Sequence, residues 1–271
     1  MRDPLLPLLP GPQDADRPWL ICYGIDERVE LTGHVLSMWL AKIAGFVTSE
    51  SVPGDGVHVA LPPHWRSVAW ACGTWLAGRS VLLGSNEEIR TAGLIPELSV
   101  AFTPESLYDE AEAQALVPPA SLALRWPEEL PALVLDGAAD LMHYPDRFTP
   151  VSTAADSVCL TDLTSEAAAP AAPGAPGGTA PSGGRLTVLT RAQLAARVEA
   201  ADAPAGSGRH SASRAVLVRS PDTAQMLQEV LVAWHGGRTA VVLTPEAGDD
   251  VAAAAIRQEG IQEGIGGPQS R

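Results

Sequence analysis

The sequence predicts an α/β protein whose parallel-sheet layers carry crossover helices, arranged as two similar α/β subdomains. Two observations lead there. Short apolar runs, such as those at 57–61, 80–83, 215–218 and 240–243, alternate with segments of helical periodicity, which is the pattern of strand–helix–strand units in a parallel sheet. One spelling of the helix exit, Trp-x-x-Gly-Arg-Ser/Thr, also occurs twice, at 75–80 and at 234–239, each time between a helix and a strand.

Taken in order, residues 1–24 read as an N-terminal extension, broken by prolines. A first α/β portion is expected over 25–163. It opens with the strand RVEL from Arg28 and a helix capped by Thr32, on which Val35, Leu36, Trp39, Ile43 and Phe46 share a face. A Pro-Gly-Asp turn then leads to a strand over Val57–Leu61, ended by Pro62-Pro63. The helix from about His64 to Leu76 is apolar on most sides, which predicts burial between layers, and Gly78 closes it before the strand SVLL. LSVAFTPESL and ALVLDG read as further strands, YDEAEAQAL as an acidic helical fragment, and CLTDL as the strand ending near Leu163.

Residues 164–184 form an Ala/Pro/Gly-rich stretch with the composition of a flexible loop. A second α/β portion follows over 185–245: the strand in GGRLTVLT, the helix RAQLAARVEAAD and the strand AVLV. Next come a helix with Ser220 as N-cap and Pro221 in the first helical position, and the strand AVVL after Gly236-Gly237. Met226, Leu227, Val230, Leu231 and Trp234 form the apolar face of that last helix. The tail, 246–271, is expected to fray.

Composition narrows the function. The chain has 271 residues, of which 46% are hydrophobic and 18% charged, in the range of a folded protein. A net charge of -14 argues against nucleic acid or an anionic membrane as partner, since phosphates would be repelled. Six arginines between Arg185 and Arg219 run against that trend and mark either a balanced surface or an anion site. The three cysteines are widely spaced and suggest neither disulfides nor zinc. No apolar run is long enough for a signal core or a membrane span, so the expected compartment is the cytoplasm. Lys42 is the only lysine, which restricts phosphate-gripping lysine chemistry to one position.

Motifs give little catalytic chemistry. Gly178–Gly183 has the spacing of a Walker loop, but Gly184, Arg185 and Leu186 follow where Lys and Ser/Thr are required. The six histidines form no metal-binding pair at helical spacing, and no metal site is expected. No Gly-x-Ser-x-Gly elbow exists. Trp39, Trp65, Trp70 and Trp75 read as core, and Asp136, Asp140, Asp146, Glu128 and Glu129 as solvated loop acids.

The order of these segments resembles the adenylate-forming enzymes, including the acyl-CoA synthetases and peptide-synthetase adenylation domains. VPGDGVHVALPPHWRSVAWACGTWLAGRSVLL is similar to an early signature of that family, RVELTGHVLSMWLAKIAGFV to its preceding strand and helix, and GGRLTVLTRAQLAARVEA to the segment after its phosphate loop. More narrowly, the pattern resembles an actinobacterial group of short proteins with twilight similarity to AMP-binding enzymes. The likeness spans about residues 25–245 and only the first half of such an enzyme. It implies ATP or AMP as ligand, and it places the remnant of the phosphate loop at Thr164, Ser165, Ser182, Gly183, Gly184 and Arg185. The family loop reads Thr-Ser-Gly-Thr-Thr-Gly-x-Pro-Lys-Gly. Aligned on Leu189-Thr190, Arg185 stands where the family has Lys, and Pro181 offers no N–H to a phosphate. The family's adenine, ribose and catalytic-lysine motifs lie beyond the equivalent of Leu243, and no lysine follows Lys42. The expectation is therefore a degenerate, non-catalytic AMP-binding-like protein with no catalytic residues. The alternatives are a nucleotide- or acyl-ligand-binding protein, or a half-enzyme for carboxylate adenylation completed by a partner. A protein partner or self-association would cover the surface left by the second half.

Overall fold

The computed structural model describes residues 3–11, 14, 16–164, 186–202 and 214–261. Eleven strands form two sheets among the described residues. The larger sheet contains β3 (Val57–Ala60), β4 (Val81–Leu83), β5 (Leu98–Ala101), β6 (Gln114–Leu116), β7 (Leu135–Asp136), β8 (Val158–Asp162) and β9 (Thr187–Thr190). Their order is β7-β6-β5-β3-β4-β8-β9, parallel throughout except for β9, which runs antiparallel to β8. The smaller sheet has the order β10-β11-β1-β2, from β1 (Pro18–Tyr23), β2 (Arg28–Thr32), β10 (Ala215–Val218) and β11 (Thr239–Leu243). Here β10, β11 and β1 are parallel and β2 is antiparallel to β1.

The helices are α1 (Gly33–Glu50), α2 (Trp65–Leu76), α3 (Asn86–Ala92), α4 (Arg191–Asp202), α5 (Thr223–His235) and α6 (Asp249–Gln258). Thr32 caps α1 by accepting from the Val35 amide, and Leu36, Leu40, Ile43, Phe46 and Val47 are its buried face; Val35 itself is exposed. Eleven of the twelve residues of α2 are buried, because α1, α5 and both sheets surround it. One continuous core runs from α1 through α2 to α5, joining the two sheets.

The repeated spelling is a repeated helix stop. Gly78 and Gly237 both take left-handed φ, +78° and +69°. The amides of Arg79 and Arg238 then bond back to the carbonyls of Thr74 and Ala233, at 3.0 and 2.8 Å, closing the last turn as a Schellman motif does. Each tryptophan reaches one strand further. Trp75 donates its indole N–H to Cys159 O at 2.7 Å, and Trp234 donates to Trp19 O at 2.8 Å. The receiving strands, β8 and β1, are the parallel neighbours of β4 and β11, the strands that follow each stop.

Five expectations are corrected. Residues 18–23, read as part of an extension, form β1 between β11 and β2, and Leu5 and Leu9 are buried in the main core. The acidic segment 108–116 makes no helix; burial of Ala115 and Leu116 against β5 draws its end into β6. ALVLDG contributes only the two-residue β7. The α5 N-cap is Asp222, whose carboxylate accepts from the Gln225 amide at 2.8 Å, because the helix begins at Thr223, and Ser220, two residues before the cap, donates to Glu229 instead. Finally, 249–258 of the tail is helix α6, with Ala252 and Ala255 buried against Ile21, Tyr23 and Val241.

Candidate functional site

Because β1, β10 and β11 are parallel in one sheet and β3 to β8 in the other, each sheet ends in a row of carboxyl-terminal loops. In open parallel sheets ligands bind outside the carboxyl ends of the strands. Two clefts open there. One, of about 430 Å³, is lined by the loop after β1 (Gly24–Glu27), by Pro62, Pro63 and His64 after β3, by Phe102 after β5 and by Thr244–Glu246 after β11. The other, of about 280 Å³, lies among Leu61–Pro63, Gly84, Thr164 and Pro221–Ala224. Pro62, Pro63 and Pro245 form the wall they share.

Thr164 is the one residue of the sequence-predicted loop that the structure describes; Ser165, Ser182, Gly183, Gly184 and Arg185 lie outside the described residues. Thr164 stands two residues after β8 and lines the smaller cleft. Its hydroxyl donates to Asp162 Oδ1 at 2.6 Å, and its amide donates to the same oxygen at 2.9 Å. The hydroxyl proton is thus committed to a carboxylate and is not offered to a phosphate. Asp222 is the only charged side chain of the described lining of this cleft, and it is an acid.

Under that cleft, buried His58 ties three elements together. Its Nε2 lies 3.0 Å from Gly84 O and its Nδ1 2.9 Å from Ser99 Oγ, while Ser99 Oγ accepts from the Tyr108 amide. A carbonyl only accepts, so Nε2 carries the proton and Nδ1 accepts from the serine hydroxyl. Burial pulls its pKa below the usual histidine value, with the Gly84 carbonyl opposing. It is a satisfied core histidine that fixes the ends of β3, β4 and β5.

The larger cleft contains a constellation that the sequence alone does not show. Ser121 donates its hydroxyl to Glu27 Oε1 at 2.7 Å and its amide to Glu27 Oε2 at 3.2 Å, while His64 Nε2 stands 3.3 Å from Ser121 Oγ. Serine, histidine and glutamate in this order suggest an activated nucleophile, but the protons point the wrong way. His64 is the N-cap of α2 and its Nδ1 accepts from the Arg66 amide at 3.1 Å, so the ring proton is on Nε2. A serine that faces an N–H has no imidazole base, and the carboxylate that holds its proton is only a weak one. Burial, then the nearby Arg66 cation, pulls His64 down to about 4, so the ring is neutral at pH 7. The set is a structural clamp.

Arg66 completes it. Its buried guanidinium donates through Nη2 to the carbonyls of Ala120, Ser121 and Ala123, at 3.2, 3.2 and 2.7 Å, and lies 4.6 Å above the Trp65 ring. Burial lowers its pKa to about 10, still fully charged at neutral pH. These residues follow strand ends, so the usable signal is position after an apolar run, readable once strand order is known.

The other sequence candidates are structural. Lys42 is held by Tyr144 O and by Asp146, each at 2.7 Å. Asp136 is a loop anchor and not a solvated acid: it accepts from the amides of Trp126, Ala138 and Ala139. The three cysteines are buried free thiols, with burial pushing Cys22 and Cys159 up to about 12. Among the described residues no group of three His, Cys, Asp or Glu side chains could hold a metal, and no helix is long and apolar enough to cross a membrane.

No known protein-family description matches the sequence. A TIGR03089 family protein of Mycobacterium tuberculosis is 27% identical over 129 residues, which cover 46% of this chain and 51% of that protein. Among solved structures, an acyl-CoA synthetase of Brucella canis superposes with a TM-score of 0.70 at 18% identity, covering 95% of this chain and 48% of that one. Apo MatB from Rhodopseudomonas palustris gives 0.69 at 12% identity, covering 96% and 48%. The acetoacetyl-CoA synthetase of Streptomyces lividans gives 0.66 at 15% identity, covering 90% and 38%. The chain spans about half the length of the proteins it matches. It therefore has the α/β fold of one half of these acyl-CoA synthetase structures, and its sequence is similar in the twilight range to that TIGR03089 family protein.

Proposed function

We propose that the protein is a non-catalytic member of the AMP-binding-like group, which uses the cleft beside Thr164 to hold a nucleotide or acyl ligand without turning it over. One observation carries the reading. The described lining of that cleft holds no cation, and the Thr164 hydroxyl is spent on Asp162. Transfer of an adenylyl group needs positive charge and donors aimed at the transferring phosphorus. Arg185, Ser182, Gly183, Gly184 and Ser165 are the remaining candidates to contact an anion, and of these only Arg185 brings charge.

The test has two parts. Purified protein with Mg-ATP and a panel of carboxylic acids should release no pyrophosphate above the enzyme-free rate; acid-dependent release overturns the non-catalytic reading. Calorimetry with AMP and ATP should show weak binding that Arg185→Ala reduces about tenfold, the scale of one lost charge-assisted contact. Absence of binding at millimolar nucleotide removes nucleotide as the ligand. A half-enzyme completed in trans is the competing reading, and it requires pyrophosphate release to appear only when a copurified partner is added back.

A further inference from the structure

The larger cleft supports a second site, on the other side of the Pro62–Pro63–Pro245 wall from Thr164. Its floor and walls are apolar: Ile25, Phe102, Pro119 and the shared prolines. Ile25 in its lining is 64% exposed, and Leu122 and Leu124, two and four residues along the chain from the lining residue Ala120, are 81% and 63% exposed. Exposed large aliphatic residues clustered beside a concavity are a feature of interaction surfaces.

These leucines do not sit on a loose loop. The carbonyls of Ala120, Ser121 and Ala123 are gripped by buried Arg66, Ser121 is bonded twice to Glu27, and the Trp126 amide donates to Asp136 at 2.8 Å. The backbone is fixed in the shape that presents Leu122 and Leu124 outward, so a partner would not have to order it.

Charge selects the occupant. Asp26 and Glu246 stand exposed on the rim with no ion-pair partner among the described residues, and Glu27 faces the same space. The fields of Glu27 and Glu246 both reach His64, which is neutral and contributes no counter-charge. Arg125 is the one cation on the 120–130 loop, against Glu128 and Glu129. An apolar groove with an acidic rim complements a segment that carries lysine or arginine beside apolar side chains, and it repels nucleotides and anionic lipid. We propose that this cleft, with Leu122 and Leu124, docks a short cationic amphipathic segment of a partner protein. This site is separate from the ligand cleft at Thr164 and does not depend on it.

The probe is a labelled helical peptide with a leucine face and a lysine face, alongside a twin with glutamate for lysine. Binding is read by fluorescence anisotropy at low and at physiological salt. The lysine peptide should bind and the glutamate twin should not. Asp26→Asn/Glu246→Gln should weaken binding about tenfold, as should Leu122→Ser/Leu124→Ser, and neither pair touches a buried contact. Asp156→Asn/Glu199→Gln removes two exposed acids from elsewhere on the surface and should change affinity less than twofold. Equal loss in the rim and remote pairs means diffuse attraction to an acidic protein and overturns the proposal, as does no binding by wild type. A concentration-dependent dimer in sedimentation that Leu122→Ser/Leu124→Ser abolishes would assign the leucines to a second copy and would likewise overturn it.

Discussion

The strap at residues 3–11 can be tested through a single ion pair. Asp3 and Arg191 are 188 residues apart, and their side chains are 1% and 0% exposed. Arg191 Nη1 donates to Asp3 Oδ2 at 2.7 Å and Nη2 donates to Trp75 O at 3.0 Å, while its Nε has no partner. Asp3 also accepts from the amides of Leu5 and Thr153, at 3.0 and 3.2 Å. Burial already pulls the Arg191 pKa below its usual value, and Asp3 is the strongest influence opposing that.

Asp3→Asn keeps the shape but only one of the two accepting oxygens, and it leaves a buried cation with no counter-charge. Breaking such a pair from one side costs about 3–5 kcal/mol, whereas replacing both partners by apolar residues is often neutral. For a chain of this size that loss corresponds to a fall in melting temperature of roughly 10 °C. The assay is urea unfolding followed by tryptophan fluorescence, with Asp3→Leu/Arg191→Met measured alongside. The single variant should be strongly destabilised and the double variant should recover most of the loss. A loss under about 1 kcal/mol for Asp3→Asn would refute the reasoning, because the strap would then be releasing locally at little cost and the pair would not be tying it to the core.

Two further outcomes follow from the helix ends. His64 has a folded pKa near 4 against an unfolded value near 6.5, so the unfolded state takes up the proton first as pH falls. Its contribution to stability is whole above pH 6.5, declines between 6.5 and about 4, and is flat below. About 3 kcal/mol is lost across that window. His64→Asn keeps an N-cap acceptor without the titration, so the stability difference between wild type and variant should shrink by about that amount over the same window. A difference independent of pH in denaturant titrations would remove this assignment. The two left-handed glycines should separate. A Cβ at Gly237 meets nothing within 4 Å, so Gly237→Ala carries only the backbone penalty, about 1 kcal/mol. A Cβ at Gly78 meets Val151 Cγ1 at 2.8 Å, so Gly78→Ala should cost more, roughly 2 kcal/mol, in the same unfolding measurement. Equal costs would mean that Val151 moves aside freely.

What the sequence made legible was local. The Thr32 cap, the buried α2, the strands at 57–60 and 215–218 and the double helix stop are each written within one turn or one strand of chain. The strap was not legible, because its meaning rests on Arg191, and nothing near Asp3 signals that partner. β1 was hidden for a similar reason: PWLICY follows a proline-broken run, and only pairing with β11, over two hundred residues later, makes it an interior strand. At the site, Thr164 could be placed by its position after β8, but its bond to Asp162 could not. The Glu27–Ser121 and His64–Ser121 contacts join residues 94 and 57 apart and appear only when the strand ends are brought to one edge.

The charge at that edge constrains both proposed sites together. Asp26, Glu27, Asp222 and Glu246 face the two clefts, the one histidine there is held neutral, and Arg66 spends its charge on buried carbonyls below the surface. A nucleotide phosphate entering from solvent therefore meets carboxylates, with no described cation to receive it. If nucleotide binds, the compensating charge has to come from the 165–185 stretch, where Arg185 is the only cationic residue. The affinity should then fall steeply in Arg185→Ala and should rise in Asp222→Asn, which lowers the repulsion but keeps a side-chain cap on α5. The same field acts in the opposite sense on the cationic peptide in the larger cleft. One surface charge pattern thus predicts unequal salt responses at neighbouring sites: for the peptide screening only removes attraction, whereas for the nucleotide it weakens both the repulsion by the carboxylates and the attraction to Arg185, so the peptide should show the steeper salt dependence.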